Sequence, residues 1–540
     1  MREWLRETHG AQFELLRHFL LRFFDSDLVT TPGQTSAALI AVVSVCLPWF
    51  QVLIGPLRHK YAVLSTLPVA GPYREALRAD ELWLITLMMS LIGLLTAFKW
   101  QALFPDLRDY RALGSLPLRA RQIFLAKLLA LLIVAAGALI AINAIPSAGF
   151  PALTGGRWAF PGPRVKAYTL ASLAACAFFF FGLVALQGVL LNVLRPRAFG
   201  RISGCVQGLL VAIMLGLCVL SFSIQPQFTD TVLRPEWSHW LPPVWFLGLC
   251  QTQSGDPDPA MHALAHRAGF ALLIAAAFAL LTYLISYQRH RRLLMEGRSN
   301  PTKNRRADRW LAWVLPEPRQ HAVIGFMLQT LGRSSHHRMI LMGYGGLGLA
   351  VVLSGLLGMA NLVAADRRVA AGFLYFHSIG MLFLLIGARH LFSLPTELKA
   401  NWLFQLTESE GRAAWLEAVD RLVLFWAALL FVAPLSLELI WVGWRGLVEI
   451  ALLGSAGILA YEWLFSSWNK LPFTCSRLPG KTPGWILALR FFGLLTLGPI
   501  LQAILLAALY SRWTWLPVLA ALVAAWTRAR ALRRESRSDL

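Results

Sequence analysis

Asp80 and Glu81 are neighbouring carboxylates just ahead of an apolar run that begins near residue 82. A carboxylate outside a membrane could serve as general base toward a lipid-linked sugar, provided it comes within hydrogen-bond reach of the attacking hydroxyl. Adjacent carboxylates at a helix start more commonly face the positive end of its dipole, and that role is preferred here. His336 and His337 are consecutive, so they face different ways on a helix, and the HEXXH zinc pattern does not occur. His377 sits within FLYFHSIGML, and Glu438 and Glu462 each lie in an apolar run. An ionisable group at such depth marks either a functional site or a hydrogen bond to a neighbouring helix, and the hydrogen bond is preferred. Lys99, Arg389 and His390 lie near run ends, where long side chains reach for the interface.

Phosphate and metal chemistry have little support. LPGKTPGW at 478–485 supplies Gly480, Lys481 and Thr482, but a phosphate loop needs a glycine five positions before the Gly-Lys pair and a strand ahead of it. Position 475 is Cys and an apolar run precedes it, so a cytoplasmic turn is expected. The six cysteines (Cys46, Cys176, Cys205, Cys218, Cys250 and Cys475) form no CxxC pair and read as small core residues. No cofactor, no metal and no covalent chemistry are expected of this chain, which is read as a non-enzyme.

The elements that would position these groups are membrane spans. Only 14% of the 540 residues are charged, against about 25% in soluble domains, and 57% are hydrophobic. Many runs approach the roughly 20 residues that cross a bilayer. Spans are expected near 36–54, 82–103, 124–145, 168–193, 204–224 and 267–287, then near 339–363, 370–393, 419–443, 446–467, 485–509 and 513–527. Residues 11–25 place Glu14, Arg17 and Arg22 at helical spacing, with Phe13, Leu16, Leu20, Phe23 and Phe24 on the remaining surface, which predicts an amphipathic interfacial helix. QHAVIGFMLQTLGR from Gln320 predicts a second. The expected fold is thus an all-α polytopic membrane protein: about twelve transmembrane helices in two six-helix repeats, each preceded by an interfacial helix. The first unit would span 1–287, a basic cytoplasmic linker 288–318, and the second unit 319–540.

A net charge of +22 would suit nucleic acid, but the arginines gather in short loops at run ends, as the positive-inside rule requires, so no nucleic-acid partner is expected. Most of this charge becomes cytoplasmic if both termini are inside. Arg58, Lys60, Arg74, Arg78, Arg367 and Arg368 would then lie outside, against the rule. The first 35 residues are charged throughout and lack the apolar core of a cleavable signal peptide. The longest outside stretch, about 225–266, contains RPEWSHWLPPVWFLGLCQ, and short re-entrant or interfacial helices are expected there.

The densest polar feature is FPDLRDYRALGSLPLRARQIFLAK, from Phe104 to Lys127 between the second and third spans. Asp106, Arg108, Asp109 and Arg111 alternate in sign over one or two helical turns, Gly114 and Pro117 break the helix, and Arg119, Arg121 and Lys127 lead into the next span. The positive-inside rule explains the arginines but not the interleaved aspartates, since acidic residues contribute little to orientation. A surface for a cytosolic partner accounts for both. A related stretch from Leu394, LPTELKANWLFQLTESEGRAAWLEAVDRL, holds the matching place in the second half.

An interfacial helix, six spans, this charged segment and the outside stretch WLPPVWFLGL resemble the permease subunit of a type-2 ATP-binding-cassette exporter, over most of residues 1–290. In the second half Pro395 matches Pro105, and Lys399, Glu408 and Glu410 echo the charges loosely. The resemblance implies a bacterial inner-membrane protein that docks a separate cytosolic ATPase. Docking would fall on Asp106, Arg108, Asp109, Arg111 and Arg119, with Lys399 and Glu408 in the second half. Such permeases carry one six-span unit and pair with another, whereas two fused units are expected here, which leaves a homodimer open. Membrane lipid is the other expected partner. Two alternatives stand beside this: a twelve-span secondary transporter of the major-facilitator kind, and a membrane-embedded lipid-linked glycosyltransferase using Asp80. Against the first, Asp109 is followed by Tyr110 and Arg111, and the glycines of that family's loop motif are missing.

Overall fold

The apolar runs fold as helices because hydrocarbon offers backbone N–H and C=O groups no water, and a helix pairs them within one segment. The computed structural model describes residues 10, 12–21, 56–104, 120–156, 160–224, 236–255, 258–293, 317–359, 365–396, 412–465, 468, 470–474 and 515–538. Among them the chain is helical and contains no strand. Two compact units divide it, Met1–Ser299 and Asn300–Leu540, with the division inside the basic linker.

The first unit contains helical residues 12–21 and 56–65, then α1 (Gly71–Phe98), α2 (Ala120–Leu153), α3 (Pro161–Val193), α4 (Pro196–Ile224), α5 (Pro242–Gln253) and α6 (Pro259–Leu293). Proline opens α3, α5 and α6, where the missing N–H would have had no helical partner and the fixed φ suits the first turn. α3 packs against α1, α2, α5 and α6, and α1 also packs along α4. The core is built from Trp83, Ile85, Ile92, Phe150, Tyr168, Phe246 and their neighbours.

The second unit contains α7 (Pro318–Arg333), α8 (Ser335–Met359), α9 (Ala365–Phe392), α10 (Arg412–Val432), α11 (Leu435–Trp441), α12 (Trp444–Phe465) and α13 (Trp515–Ser538). α8 pairs with α9, α7 with α10, and α12 with both α9 and α13. Its core gathers Leu374, Met381, Leu385, Val419, Leu452, Tyr461, Phe465 and Phe473.

Eight helices among the described residues are long and apolar enough to cross a membrane, five in the first unit and three in the second. The chain is therefore a polytopic α-helical membrane protein. The outer face of α6 is what lipid demands: Phe270 (67% exposed), Leu273 (68%) and Ile274 (67%) point away from the unit. Two expected spans, 36–54 and 485–509, lie outside the described residues. The expected span 419–443 is broken instead. α10 stops at Val432, and Pro434, which has no N–H to continue the ladder, precedes the short α11. The expected span 82–103 begins earlier, at Gly71, because Arg74, Glu75, Arg78, Asp80 and Glu81 are helical too. Short helices do occur in the Trp/Pro-rich stretch, as a 3-10 turn at Glu236–Trp240 followed by α5.

Close approach depends on small residues in α5. A Cβ on Gly248 would stand 2.5 Å from the Leu264 Cβ and 2.9 Å from the Met261 carbonyl oxygen, so α6 backbone would have to move. Gly248→Ala should cost about 1–3 kcal/mol and lower the Tm of the detergent-solubilised protein by several degrees. Gly182→Ala, where nothing lies within 4 Å, should leave Tm unchanged or slightly raised.

Candidate functional site

The docking residues Asp106, Arg108, Asp109, Arg111, Arg119, Lys399 and Glu408, together with Arg22 and the 478–485 turn, lie outside the described residues. The roots from which the charged segments leave are described. α1 ends at Phe98, a 3-10 turn covers Trp100–Ala102, and Leu103 and Phe104 are buried. Three side chains hold this turn. Gln187 on α3 donates to the Trp100 carbonyl (2.7 Å), Gln207 on α4 donates to the Ala97 carbonyl (3.0 Å), and the Trp100 indole donates to Ser203 Oγ (2.8 Å). Phe104 packs on Tyr283 of α6 at 4.8 Å between ring centroids. Lys99, next to the turn, has its pKa lowered by burial.

The charged segment returns into α2 at Ala120, and there the N-terminal helix meets it. Leu15 and Phe19 pack against Ile123, Ala126 and Ala130, and the Lys127 ammonium lies 4.9 Å from the Phe19 ring centre. The inward face is thus Leu15 and Phe19, with Leu16 and Leu20 at its edge, and it serves a helix of the unit. Glu14 and Arg17 point outward and pair at 3.5 Å.

In the second unit α9 ends at Phe392, and its exit is clamped as well. Phe473, whose φ of 68° is left-handed, donates its N–H to the Phe392 carbonyl (2.9 Å) and accepts from the Thr396 N–H (3.0 Å). His337 reaches the Leu394 carbonyl at 3.3 Å and sets its ring edge-on to Phe473. The helix after the segment, α10, carries the second amphipathic helix. Arg421 donates to Gln320 of α7 (2.8 Å) and pairs with Glu417 (2.9 Å), and Ile324 packs on Ala418. Arg389 lies in the last turn of α9. Its guanidinium lies 4.4 Å from the Trp468 ring centre, and its Nε donates to the Leu464 carbonyl. His390 meets the Tyr344 hydroxyl at 3.0 Å.

Asp80 and Glu81 are not at a helix start. They lie well inside α1, fully buried, and each has partners. Both Asp80 oxygens accept from the Lys60 ammonium (2.9 and 2.8 Å), and the Tyr61 hydroxyl adds a third bond at 2.8 Å. Burial raises the Tyr61 phenol far above its ordinary range, and the Asp80 charge raises it further, so Tyr61 remains a donor. Glu81 accepts from Arg164 of α3 (3.1 Å) and from Gln251 of α5. Arg164 also donates to the side chain and carbonyl of Thr154, the carbonyl that Tyr73 caps from α1. Cys250 beside them has its thiol pushed well up by burial and by the Glu81 charge. A cleft of about 370 Å³, lined by Arg58, Tyr61, Ser65 and Leu153, opens against Tyr61.

The intramembrane candidates part company. His377 Nε2 of α9 and a Glu438 carboxylate oxygen of α11 lie 3.1 Å apart, the expected hydrogen bond between helices. Glu462 stands 13 residues beyond Glu449 on α12, about 20 Å along the axis. Glu449 was not among the residues expected from sequence, although it interrupts an apolar run just as Glu438 does. It joins His377 and Glu438 in one buried group. No family model matches this chain, and no curated protein or solved structure does.

Removing one partner of a buried ion pair strands the other charge. Arg164→Met should therefore destabilise the protein by about 3–5 kcal/mol, read as thermal unfolding in detergent. Adding Glu81→Leu should restore more than half of the loss, and equal instability of the single and double variants would refute the pairing.

Proposed function

We propose that this chain is the membrane-spanning permease of an ATP-driven exporter, with two six-span units fused and nucleotide carried by a separate cytosolic ATPase of the ATP-binding-cassette kind. One observation carries this reading. Around each charged segment the same parts recur: a hydrogen-bonded clamp where the segment leaves, and an amphipathic helix packed on the helix that follows. A load-bearing contact needs such roots, because a partner that pushes on a loop does work on the bundle only if the loop's ends are fixed to it. The alternating charges of Asp106, Arg108, Asp109 and Arg111 then supply the contact itself. The protein sits in the bacterial inner membrane with both termini in the cytoplasm, where the basic segments lie together.

One further observation favours the secondary-transporter alternative: His377, Glu438 and Glu449 are the kind of buried ionisable group that relays protons in carriers. The glycosyltransferase alternative loses ground. A general base must reach its substrate, and Asp80 is fully buried with both oxygens already engaged.

Charge reversal distinguishes the first two. With Asp106→Arg and Asp109→Arg combined, affinity for the ATPase should fall at least about 30-fold, since losing charge pairs at an interface costs about 2–5 kcal/mol. Membrane insertion and Tm should not change. A wild-type chain that purifies from its native membrane with no ATPase, and whose transport follows the proton gradient, would overturn the exporter reading.

A further inference from the structure

Glu449 is fully buried, and neither of its carboxylate oxygens has a hydrogen-bond partner. Glu438 Oε1 and His377 Nδ1 are likewise unpartnered, on residues that are also fully buried. One ligand atom from each of the three residues can be chosen so that all lie within 4.8 Å of one another. Buried polar groups in native proteins are nearly always satisfied, so four unpartnered atoms on three residues of one buried group indicate a missing partner.

The local fold clears space for that partner. Gly443, with φ of 73°, closes α11 after Trp441 and turns the chain into α12. This brings Glu438 and Glu449, from two separate helices, to the same point on α9. A Cβ on Gly446 would lie 3.0 Å from Glu438 Cγ and 3.3 Å from its Oε1, so the glycine leaves the carboxylate its room. The imidazole is held by stacking on Phe431 of α10, 4.7 Å away and 18° from parallel.

We infer that His377, Glu438 and Glu449 bind one divalent metal ion of the zinc class, tying α9 to the broken helix α11–α12. One imidazole nitrogen and two carboxylates are ligands that zinc accepts, and they leave a fourth position for water. Charge points the same way. Two carboxylates and a dication sum to zero, and a neutral group is the one that can be kept in a low-dielectric interior. Zinc bonds of about 2.0–2.2 Å place tetrahedral ligands about 3.4 Å apart, so the side chains need to draw in by about an ångström. The site is independent of the exporter reading and would stand if that reading failed.

The test uses the full chain purified in detergent on a histidine-free affinity tag. Elemental analysis should find about one zinc per chain, and chelation should remove it. Restoring Zn2+ to the stripped wild type should raise its Tm by roughly 4 °C or more. Glu449→Gln and Glu438→Gln should each reduce bound zinc to background and abolish the Tm response. Glu462→Gln, on the same α12 but outside the group, should keep both. Stripped wild type that shows no Tm response to Zn2+ or Mn2+, or a Glu449→Gln variant that retains full zinc, overturns the proposal. A metal-free wild type in which Glu449→Gln raises Tm overturns it in favour of a proton shared between the carboxylates.

Discussion

An ionisable side chain inside a membrane bundle has no water to solvate it, so the bundle must supply its partners. The idealised penalty for moving an isolated carboxylate into such a medium is about 20 kcal/mol, and several kcal/mol remain after relaxation. The first unit meets this demand by geometry. Glu81 is held by Arg164 and Gln251, and Asp80 by Lys60 and Tyr61, so α1, α3, α5 and the 56–65 helix converge on two adjacent residues. Their relative register is fixed by charge as well as packing. A slip of one residue in α1 would pull both carboxylates off their partners, so the large apolar core around Trp83 and Tyr168 is confined to one alignment.

The second unit is helical too but differs in its interior chemistry. Where the first unit saturates its buried carboxylates, the second leaves three ligand-bearing residues with free atoms around a broken helix. Saturated networks rigidify a core, and unsaturated ones raise its energy until something binds. The two units therefore differ in how their buried charges are held. The first has the character of a fixed frame. The second holds the group whose state can change.

Periodicity and hydropathy made the helices legible, together with the amphipathic segments and the short helix among the tryptophans. They misplaced the start of α1, because a hydropathy window reads Arg74 through Glu81 as loop. The buried pair Asp80 and Glu81 can sit inside a helix because partners offset their desolvation, and the partner of Glu81 is 83 positions away in sequence. Arg164 lies just past Pro163 and carries no local sign of its role. The break at Pro434 does carry a local sign, a proline inside an apolar run, which averaged hydropathy does not register. Glu438 and Glu449 were equally visible as isolated acids. What no linear reading supplies is that Gly443 folds one onto the other and that α9 brings His377 between them.

On the exporter reading, these contacts decide which helices move. A partner pressing on residues 105–119 meets a fixed wall on one side, because the end of α1 is bonded to α3 and α4, and α1 is tied again to α3 and α5 at Glu81. α1 is a rod of 28 residues, about 40 Å, anchored at two points along its length. α2, on the other side, meets the unit chiefly through α3 and exposes Leu129, Leu132, Ile133 and Ile140. Such a surface slides through lipid with little loss of contact. On that reading displacement would fall first on the lipid-facing side of α2 and on the amphipathic helix that Phe19 pins to it. Phe124 against Tyr283 and the buried charges keep the remainder in register.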